Sequence, residues 1–568
     1  SLVEFESGKV KTLSEVFTGL CGLLPCPADD KLDEYIAYAI GQDAGDDDGD
    51  KNYTEIRDDV FGDPLHSKPV VVSYSTTDTR IILGTNAGFI HMFKDLGEDK
   101  VDESWAFMPA ELFKNIPILL NNDNQTAKVY GVDGSPVVHF NDADGDGVVD
   151  SGDKVWLFFG LRRGGSSYYA VDITVPDSPK LMWHINDQTA NFSELGQSWS
   201  KPVVSYIKPY GDKPVLVFSA GYSTNKDLSG IATEDPNGRG IFIVDAQTGS
   251  LVWRLTPETQ YQGKHSVAGG VAVMDSDLDG YTDRIYFADT GGSVWRVDAV
   301  GETSDWTHYE LAKLSDGTTA GDRRFFYEPV VARTFTKVVE ETDIVVDGSS
   351  ETIVTRTTVP FDAVVIGSGT RPSPLGTTTE DKFFMLKDTR VVSAATTVDT
   401  TPSTITITDL VAIESTEPKS AEEIDQFDKA MTGKSGWYYS LVGSEKSLSP
   451  ASVLAGVAYF TSYTPPPPFE QKEEFSCVPE QGGGLLYAFD LHYGTRVYKR
   501  LSFEVGKSIP DNPELFLGEN EEQKSQLLFL NVDEGEGDKD GTIELVDKDG
   551  KALGLKTSRT YIYMGENQ

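Results

Sequence analysis

The sequence predicts an all-β protein that folds as a β-propeller, and the prediction depends on two observations. Short strands rich in Val, Ile, Phe and Tyr alternate with Gly and Pro turns along the chain. Two strand signatures also recur in the same order, one reading Pro-Val-Val or close to it and the other a mostly glycine-led strand that ends in Asp. A pair of β-sandwiches is the alternative fold, but sandwiches do not require this repeated order.

Six pairs of these signatures can be counted, and a further strand lies between the members of each pair. Each unit therefore has three or four strands, as one propeller blade does. The first signature occurs at Lys68–Val72, Ser135–Val138, Lys201–Val204, Ala268–Val273 and Glu328–Val331, with a looser copy at Leu454–Phe460. The second occurs at Gly88–Asp95, Tyr168–Asp172, Gly240–Asp245, Gly292–Asp298, Phe383–Asp388 and Gly484–Asp490.

Three segments follow from the composition along the chain. Residues 1–60 form a helical lead-in, with helical spacing at Leu32–Ile40, followed by the acidic run Asp43–Asp50. We interpret that run as a solvated linker in preference to a third metal site. Residues 61–500 are assigned to the propeller, in which the Thr- and Val-rich stretch Val338–Val359 predicts a long projecting hairpin. Residues 501–568 are expected to form a small β-rich tail.

Two acidic loops carry the ligand spacing of a calcium site. Carboxylates at loop positions 1, 3, 5 and 9, a glycine at 6 and a backbone carbonyl at 7 supply the oxygens that Ca²⁺ prefers. At the acidic and glycine frequencies of this chain, about 0.03 such matches are expected by chance. The predicted ligands are Asp142, Asp144, Asp146, Asp150, Asp153 and the Val148 carbonyl in one loop, and Asp275, Asp277, Asp279, Asp283 and the Tyr281 carbonyl in the other.

Neither loop has the position-12 Glu of a helical EF-hand, which favours a shorter loop between strands. In the first loop Asp153 falls at that position and can complete the ligand shell. Both loops follow the first strand of their blade and precede the second, so we expect them on the same rim of the ring. A bound ion there would hold a long hairpin connection in place.

The overall composition excludes several classes of partner. A formal net charge of −41 repels nucleic acid and anionic lipid, and no apolar run is long enough to span a membrane. Three cysteines, Cys21, Cys26 and Cys477, allow one disulfide and one free thiol, but the pairing stays open. Weak calcium sites of the extracellular type fit an exported protein. Because the chain starts at Ser1, which is not an initiator Met, and no signal peptide opens it, we expect a processed or fragmentary form.

These stretches resemble the C-terminal half of the PilC/PilY family of type IV pilus tip proteins, from about Leu65 to Asp490. The most specific segment is Asp275–Asp298, an acidic loop that continues into Arg-Ile-Tyr-Phe-Ala-Asp-Thr-Gly-Gly-Ser-Val-Trp-Arg-Val-Asp. The resemblance implies a modified seven-bladed propeller, one blade more than the six counted. It also places Asp275, Asp277, Asp279 and Asp283 on the family's calcium loop, whereas Asp142–Asp150 lies in a more variable part of the family pattern.

The resemblance further implies an extracellular protein at the pilus tip on the bacterial surface. Its expected roles are pilus assembly, calcium-dependent control of extension against retraction, twitching motility, virulence and adhesion. Minor pilins, other tip components and a host or abiotic surface are the implied partners. The chain has no Arg-Gly-Asp tripeptide, which puts integrin binding by that motif in doubt.

Two other functions were weighed against pilus work. Quinone-dependent dehydrogenases are also propellers and carry motifs like Val244–Trp253, but here that motif is complete once and no adjacent cysteine pair occurs. The sequence also has no nucleophile and base pattern such as GxSxG or HExxH, so we predict that the protein is not an enzyme. An integrin-like or lectin-like propeller that binds a ligand through calcium rim loops is the third alternative, and fold alone does not separate it from pilus work.

Overall fold

A computed structural model describes residues 29–57, 61–98, 100–121, 128–228, 233–346, 349–391, 403–467, 482–513, 515–519 and 525–529. The described residues form six sheets, antiparallel apart from two short added strands, which we number blades 1 to 6 in chain order. Blade 1 contains β1 (Val70–Ser75), β2 (Asp78–Gly84), β3 (Ile90–Gly97) and β4 (Lys100–Phe107). Blade 2 contains β5 (Val137–Asn141), β6 (Lys154–Gly160), β7 (Tyr168–Asp172) and β8 (Lys180–Ile185), and blade 3 contains β9 (Val203–Ser205), β10 (Val215–Ser219), β11 (Ile241–Asp245) and β12 (Leu251–Leu255).

Blades 4 and 5 each carry an additional short strand in parallel. Blade 4 contains β13 (Ala272–Met274), β14 (Arg284–Ala288), β15 (Ser293–Asp298), β16 (Thr307–Lys313) and the added β20 (Ile405–Thr406). Blade 5 contains β17 (Val330–Val346), β18 (Ser349–Gly367), β19 (Lys382–Asp388), β22 (Gly436–Ser440) and the added β21 (Val411–Ala412). Blade 6 contains β23 (Ser452–Leu454), β24 (Val457–Thr464), β25 (Gly483–Asp490) and β26 (Ser502–Gly506), and a separate hairpin follows as β27 (Leu515–Glu519) and β28 (Ser525–Phe529).

Helices are few and lie outside the sheets. They are α1 (Asp29–Ala39), α2 (Ile116–Asn121), α3 (Asn225–Leu228) and α4 (Ala421–Met431). Helix α4 begins at a capping box in which the Ser420 hydroxyl accepts from the Glu423 amide and the Glu423 carboxylate accepts from the Ser420 amide. No helix in the described part of the chain is long and apolar enough to cross a membrane.

The central strands are apolar on both faces, and each face packs against the next sheet along the chain. Blades 1 and 2 share one buried cluster, blades 2 and 3 the next, and the series continues through blades 5 and 6. Aromatic pairs connect the sheets, such as Tyr168 with Phe218 at 4.4 Å and Phe383 with Phe460 at 3.8 Å between ring centroids. Sheets that pack face to face in chain order form a propeller, so the predicted all-β propeller is confirmed.

The antiparallel order fixes which loops share an end of the propeller. Within each sheet the strands follow the order first, second, third, fourth, so the connection between the first and second strands lies at the same end as the connection between the third and fourth. We call this end the hairpin face. The connections between second and third strands, and from one blade to the next, lie at the other end, which we call the junction face.

Several other sequence predictions can be compared with this structure. The predicted hairpin at Val338–Val359 is confirmed by β17 and β18, and the predicted helix at Leu32–Ile40 by α1. The described residues form six blades, as counted from the sequence, and the seventh blade implied by the resemblance is not among them. Strand β26 extends blade 6 past residue 500. The three cysteines and most of the predicted tail lie outside the described residues.

Replacing Phe460 by Ala tests the packing between blades 5 and 6. Phe460 is fully buried and stacks on Phe383 and, at 4.9 Å, on Tyr487. Removing the ring leaves a cavity between two sheets, and we expect a loss of about 3–5 kcal/mol in the free energy of unfolding. Urea denaturation measures the loss. Val71→Ala, at a side chain that is 60% exposed, is the control and should change the stability by about 0.5 kcal/mol or less.

Candidate functional site

Both acidic loops lie on the hairpin face. Residues 142–153 connect β5 to β6 in blade 2, and residues 275–283 connect β13 to β14 in blade 4. We call them the first and second acidic loops. The prediction that each follows the first strand of its blade and precedes the second is therefore confirmed, and both loops lie at one end of the propeller.

The first acidic loop is folded around its own carboxylates. Asp142 accepts from the Gly145 amide at 2.7 Å and from the Gly147 amide at 2.8 Å. Gly145 and Gly147 have φ of +78° and +77°, which a residue with a side chain rarely adopts, so glycine is needed for this turn. At the far end Asp153 is buried and accepts from the Ala143 amide at 2.9 Å, which ties the two ends of the loop together.

The five predicted carboxylates of the first acidic loop fall into two groups of three that share Asp144. Oxygens of Asp142, Asp144 and Asp153 lie within 4.8 Å of one another, and so do oxygens of Asp144, Asp146 and Asp150. The Asp146 amide acts to lower the pKa of Asp144, yet that pKa is raised, because nearby carboxylates and desolvation oppose its negative charge. Such a set of hard oxygen donors with mutual repulsion fits a divalent cation of the Ca²⁺ type.

The second acidic loop brings three of its four predicted carboxylates together. Oxygens of Asp275, Asp277 and Asp279 lie within 4.8 Å of one another. Asp283 is not in this group, because its carboxylate accepts from the Ser276 hydroxyl at 2.7 Å and from the Ser276 amide. Burial raises the pKa of Asp283. Asp275 accepts from the Gly280 amide at 2.8 Å, which closes the turn in the same way that Asp142 does in the first loop.

The second acidic loop is also connected to both neighbouring blades. Lys208, which precedes β10 of blade 3, donates to Asp279 at 2.8 Å and lowers the pKa of that carboxylate. The Tyr281 hydroxyl donates to Asp212 on the same blade at 2.9 Å. On the other side, Arg333 of blade 5 donates to the Ser276 carbonyl at 2.8 Å. This loop of blade 4 is therefore hydrogen-bonded to residues of blades 3 and 5.

The predicted backbone ligands are less informative than the carboxylates. The Val148 amide donates to Asp146 at 2.8 Å, and the Tyr281 amide donates to Asp279 at 3.0 Å. Each of these residues therefore takes part in the turn at its predicted position 7. Their carbonyl groups stay predicted ligands.

A third acidic group lies in the run Asp43–Asp50, for which the sequence predicts a solvated linker. The run at Asp43–Asp50 folds back on itself through a bridge between Gln42 and Ile56, and Asp43 is buried. It is therefore not solvated along its whole length, as the linker interpretation expects. Glu55, which joins the carboxylates of this run, is the residue in the sequence that could have indicated the group. Oxygens of two sets lie within 4.8 Å of one another, namely Asp43, Asp46 and Asp48, and Asp48, Asp50 and Glu55.

Comparison with known proteins gives one consistent family. Residues 66–329 match the model of the PilY1 beta-propeller domain, a range that includes both acidic loops. The type IV pilus biogenesis factor PilY1 of Pseudomonas aeruginosa strain UCBPP-PA14 is 28% identical over 275 residues, 44% of this chain and 21% of the relative. A PilY1 homolog of Xylella fastidiosa strain Temecula1 is 28% identical over 241 residues, 40% of this chain and 14% of the relative.

The same fold is found in a solved structure. The crystal structure of the Pseudomonas aeruginosa PilY1 C-terminal domain aligns with a TM-score of 0.52 and 19% identity, covering 80% of this chain and 91% of that domain. At this identity the likeness concerns the fold alone. The matches to the two curated relatives above span at most about a fifth of their length, so the rest of those proteins has no counterpart in the alignment.

The first acidic loop predicts an order of effects among its own carboxylates. Asp144 belongs to both oxygen groups and Asp150 to one, so Asp144→Asn should weaken calcium binding by roughly tenfold or more and by more than Asp150→Asn does. Isothermal titration calorimetry on the chelator-treated protein measures both. Asp305→Asn, which removes one exposed charge outside the loops, is the control. Equal affinities for Asp144→Asn and the control would contradict the assignment.

For the second acidic loop, we expect one substitution to strengthen calcium binding. The Lys208 ammonium occupies an oxygen of Asp279, and a calcium ion bound to that oxygen must displace or tolerate the positive charge. Lys208→Met should therefore tighten calcium binding to this loop, by severalfold at low salt and less at high salt because an exposed charge is screened. Titration at two ionic strengths checks this, with the exposed Lys100→Met as control. A weaker affinity in Lys208→Met would exclude the competition.

Proposed function

We propose that this chain carries a propeller of the PilC/PilY family and works in type IV pilus biogenesis as a calcium-binding, non-enzymatic module. The observation that carries the calcium part is the convergence of carboxylates in both acidic loops, five in the first and three in the second. The pilus part is supported by the two curated relatives, each of which is named as a type IV pilus biogenesis factor or its homolog.

We assign calcium as the ion because the donors are carboxylate oxygens on glycine-containing turns. In the first acidic loop Asp142, Asp144, Asp146, Asp150 and Asp153 would hold it, and in the second Asp275, Asp277 and Asp279 would. Asp283 would join the second set by exchanging its hydrogen bonds from Ser276 for the ion. A bound cation offsets the repulsion among these carboxylates, which favours a single conformation of each loop.

The consequence for pilus work follows from the connections of the second acidic loop. Because Lys208, Asp212 and Arg333 hold it to blades 3 and 5, calcium occupancy would change the outline of the hairpin face across three blades. We propose that this face meets the pilus, through minor pilins or other tip components, at the outside of the cell. Adhesion to a host or abiotic surface, control of extension against retraction, twitching motility and virulence would then depend on the same module.

The decisive variant is Asp279→Ala in the full-length protein. It removes one oxygen donor of the second acidic loop and should both lower the calcium affinity and reduce the number of surface pili. Calorimetry on the purified protein and counting of pili by electron microscopy measure the two effects, with Asp305→Ala as the matched control. Unchanged calcium affinity would exclude the metal assignment.

Copurification tests the partners separately from the metal. The full-length protein should retain minor pilins in calcium and lose them in excess chelator. If minor pilins are retained equally in both conditions, the calcium-dependent part of the proposal is wrong while the pilus part stands. Tight binding to glycans without any minor pilin would instead support the ligand-binding propeller as the function.

A further inference from the structure

Two arginine side chains on the junction face have guanidinium nitrogens without a hydrogen-bond partner. They are Nη1 of Arg162, in the connection between β6 and β7, and Nη1 of Arg371, in the connection between β18 and β19. Both atoms are buried. Burying a charged donor without a partner costs free energy that a folded protein normally avoids, so these two positions require an explanation.

Arg162 is the more constrained of the two residues. It is 9% exposed, and its φ of +50° lies in the left-handed region, which costs free energy for a residue other than glycine. Its backbone amide donates to the Ser198 carbonyl at 3.2 Å, which fixes the turn. Asp133 is the one acidic residue within ion-pair distance of Arg162 in the described part of the chain, and it stays 3.5 Å from Nη1.

Asp133 does not satisfy this guanidinium. Its two oxygens accept from Nδ1 of His66 at 2.8 and 2.9 Å, and one of them also lies near the Asn86 amide. Burial lowers the pKa of His66, and the charges of Arg162 and Arg371 act in the same direction. The charges of both arginines therefore act on the same imidazole, and the carboxylate that pairs with this imidazole is already engaged.

The neighbouring Arg163, unlike Arg162, has an acidic hydrogen-bond partner. Arg163 forms a bidentate pair with Asp227, at 2.9 and 3.1 Å, and Asp227 also accepts from the Tyr222 hydroxyl. The guanidinium groups of Arg162 and Arg163 lie over the ring of Trp199, at 4.5 and 4.8 Å from its centroid. A cation over an aromatic face gains attraction but no hydrogen bond, so Trp199 compensates Arg162 only in part.

Contacts between aromatic rings place the cluster of Arg162, Arg163 and Trp199 at the axis of the propeller. Trp199 comes from the junction between blades 2 and 3, and Phe326 from the junction between blades 4 and 5, yet their ring centroids are 6.1 Å apart. Tyr222 of blade 3 contacts both rings. Residues from blades that are not neighbours can meet in this way only where the blades converge. Trp199, Tyr327 and Arg371 are half-buried, so solvent still reaches the cluster.

The charges of the cluster indicate the ligand. Arg162 and Arg371 bring two positive charges, Asp133 brings one negative charge, and Arg163 is neutralised by Asp227. One positive charge is left over, and two buried guanidinium nitrogens are unpartnered, which is the number of donors that the two oxygens of one carboxylate group can accept. A phosphate, with about two charges and more acceptor oxygens, would exceed this set of donors.

We propose that Arg162 and Arg371 bind one carboxylate group at the axis of the junction face, with Trp199 beneath the Arg162 guanidinium. The carboxylate comes either from a free small acid or from an acidic side chain of a partner protein. The site is separate from both acidic loops, which lie at the other end of the propeller. Its presence does not depend on calcium.

The experiment compares anions at constant ionic strength. Thermal unfolding of the full chain is recorded in sodium acetate, sodium sulfate and sodium chloride, and binding of acetate is measured by calorimetry. An acetylated and amidated peptide with a single glutamate is the second probe, and its glutamine counterpart is the control peptide. We expect acetate to raise the melting temperature above its value in chloride, and Arg162→Gln or Arg371→Met to weaken acetate binding by roughly tenfold or more.

Arg356→Gln is the matched control, since it removes an exposed arginine of the long hairpin that pairs with Asp425 of α4, and it should keep the response to acetate. Arg371→Met has a second readout that a purely structural arginine would not give. In chloride it should raise the melting temperature, because it removes a guanidinium group whose buried Nη1 has no hydrogen-bond partner. Binding of the glutamate peptide but not of acetate would assign the carboxylate to a partner protein, and binding of both would assign an open site.

Three outcomes would overturn the proposal. In the first, acetate has no effect beyond that of chloride and the glutamate peptide does not bind. In the second, sulfate stabilises the protein and acetate does not. In the third, the response to acetate survives both arginine substitutions.

Discussion

The structure depends on one constraint, which is that blades 2 to 5 are apolar on both faces and each of these faces must be covered by a neighbouring blade. A single sheet such as β9 to β12 could not bury Phe218 and Phe242 on one side and Val217 and Ile243 on the other by itself. Burial of this area contributes about 25 cal/mol per Å² of apolar surface. Sheets stacked in chain order cover these faces and leave the strand ends free for function.

Because the faces of the sheets are buried, the candidate sites lie at the two ends of the propeller. The residues that form these sites differ in charge between the two ends. The hairpin face carries the acidic loops, where carboxylates converge and repel one another. The junction face carries Arg162, Arg163 and Arg371 around aromatic rings at the axis. In a chain with a net charge of −41, such a concentration of arginine runs against the overall composition. The acidic loops and the arginine cluster therefore each have an unbalanced charge that an ion of opposite sign can offset.

Local patterns predicted the fold, whereas non-local geometry decided the sites. The recurring Pro-Val-Val and Asp-ending strands located all six described blades, because strand alternation and turn residues are written in neighbouring positions. The DxDxDG spacing located both acidic loops for the same reason. It did not indicate that Asp283 is held by Ser276, nor that Lys208 reaches Asp279 from another blade. Arg162 and Arg371, which are 209 positions apart in sequence, carry no motif, and only the folded chain brings them near one imidazole.

Blade 2 contributes to both kinds of site, the acidic loop at one end and the axial arginine at the other. Asp153 directly precedes β6 and Arg162 follows it by two residues, so one buried strand separates an acidic loop from the axial arginines. Seven extended residues span about 23 Å. Charges in water are screened over about 8 Å at physiological ionic strength. Direct attraction between a cation at one end and a carboxylate at the other is therefore weak, and the strand between them is too well packed to shift. We expect the two sites to fill independently, so that calcium can reshape the hairpin face without changing what binds at the axis.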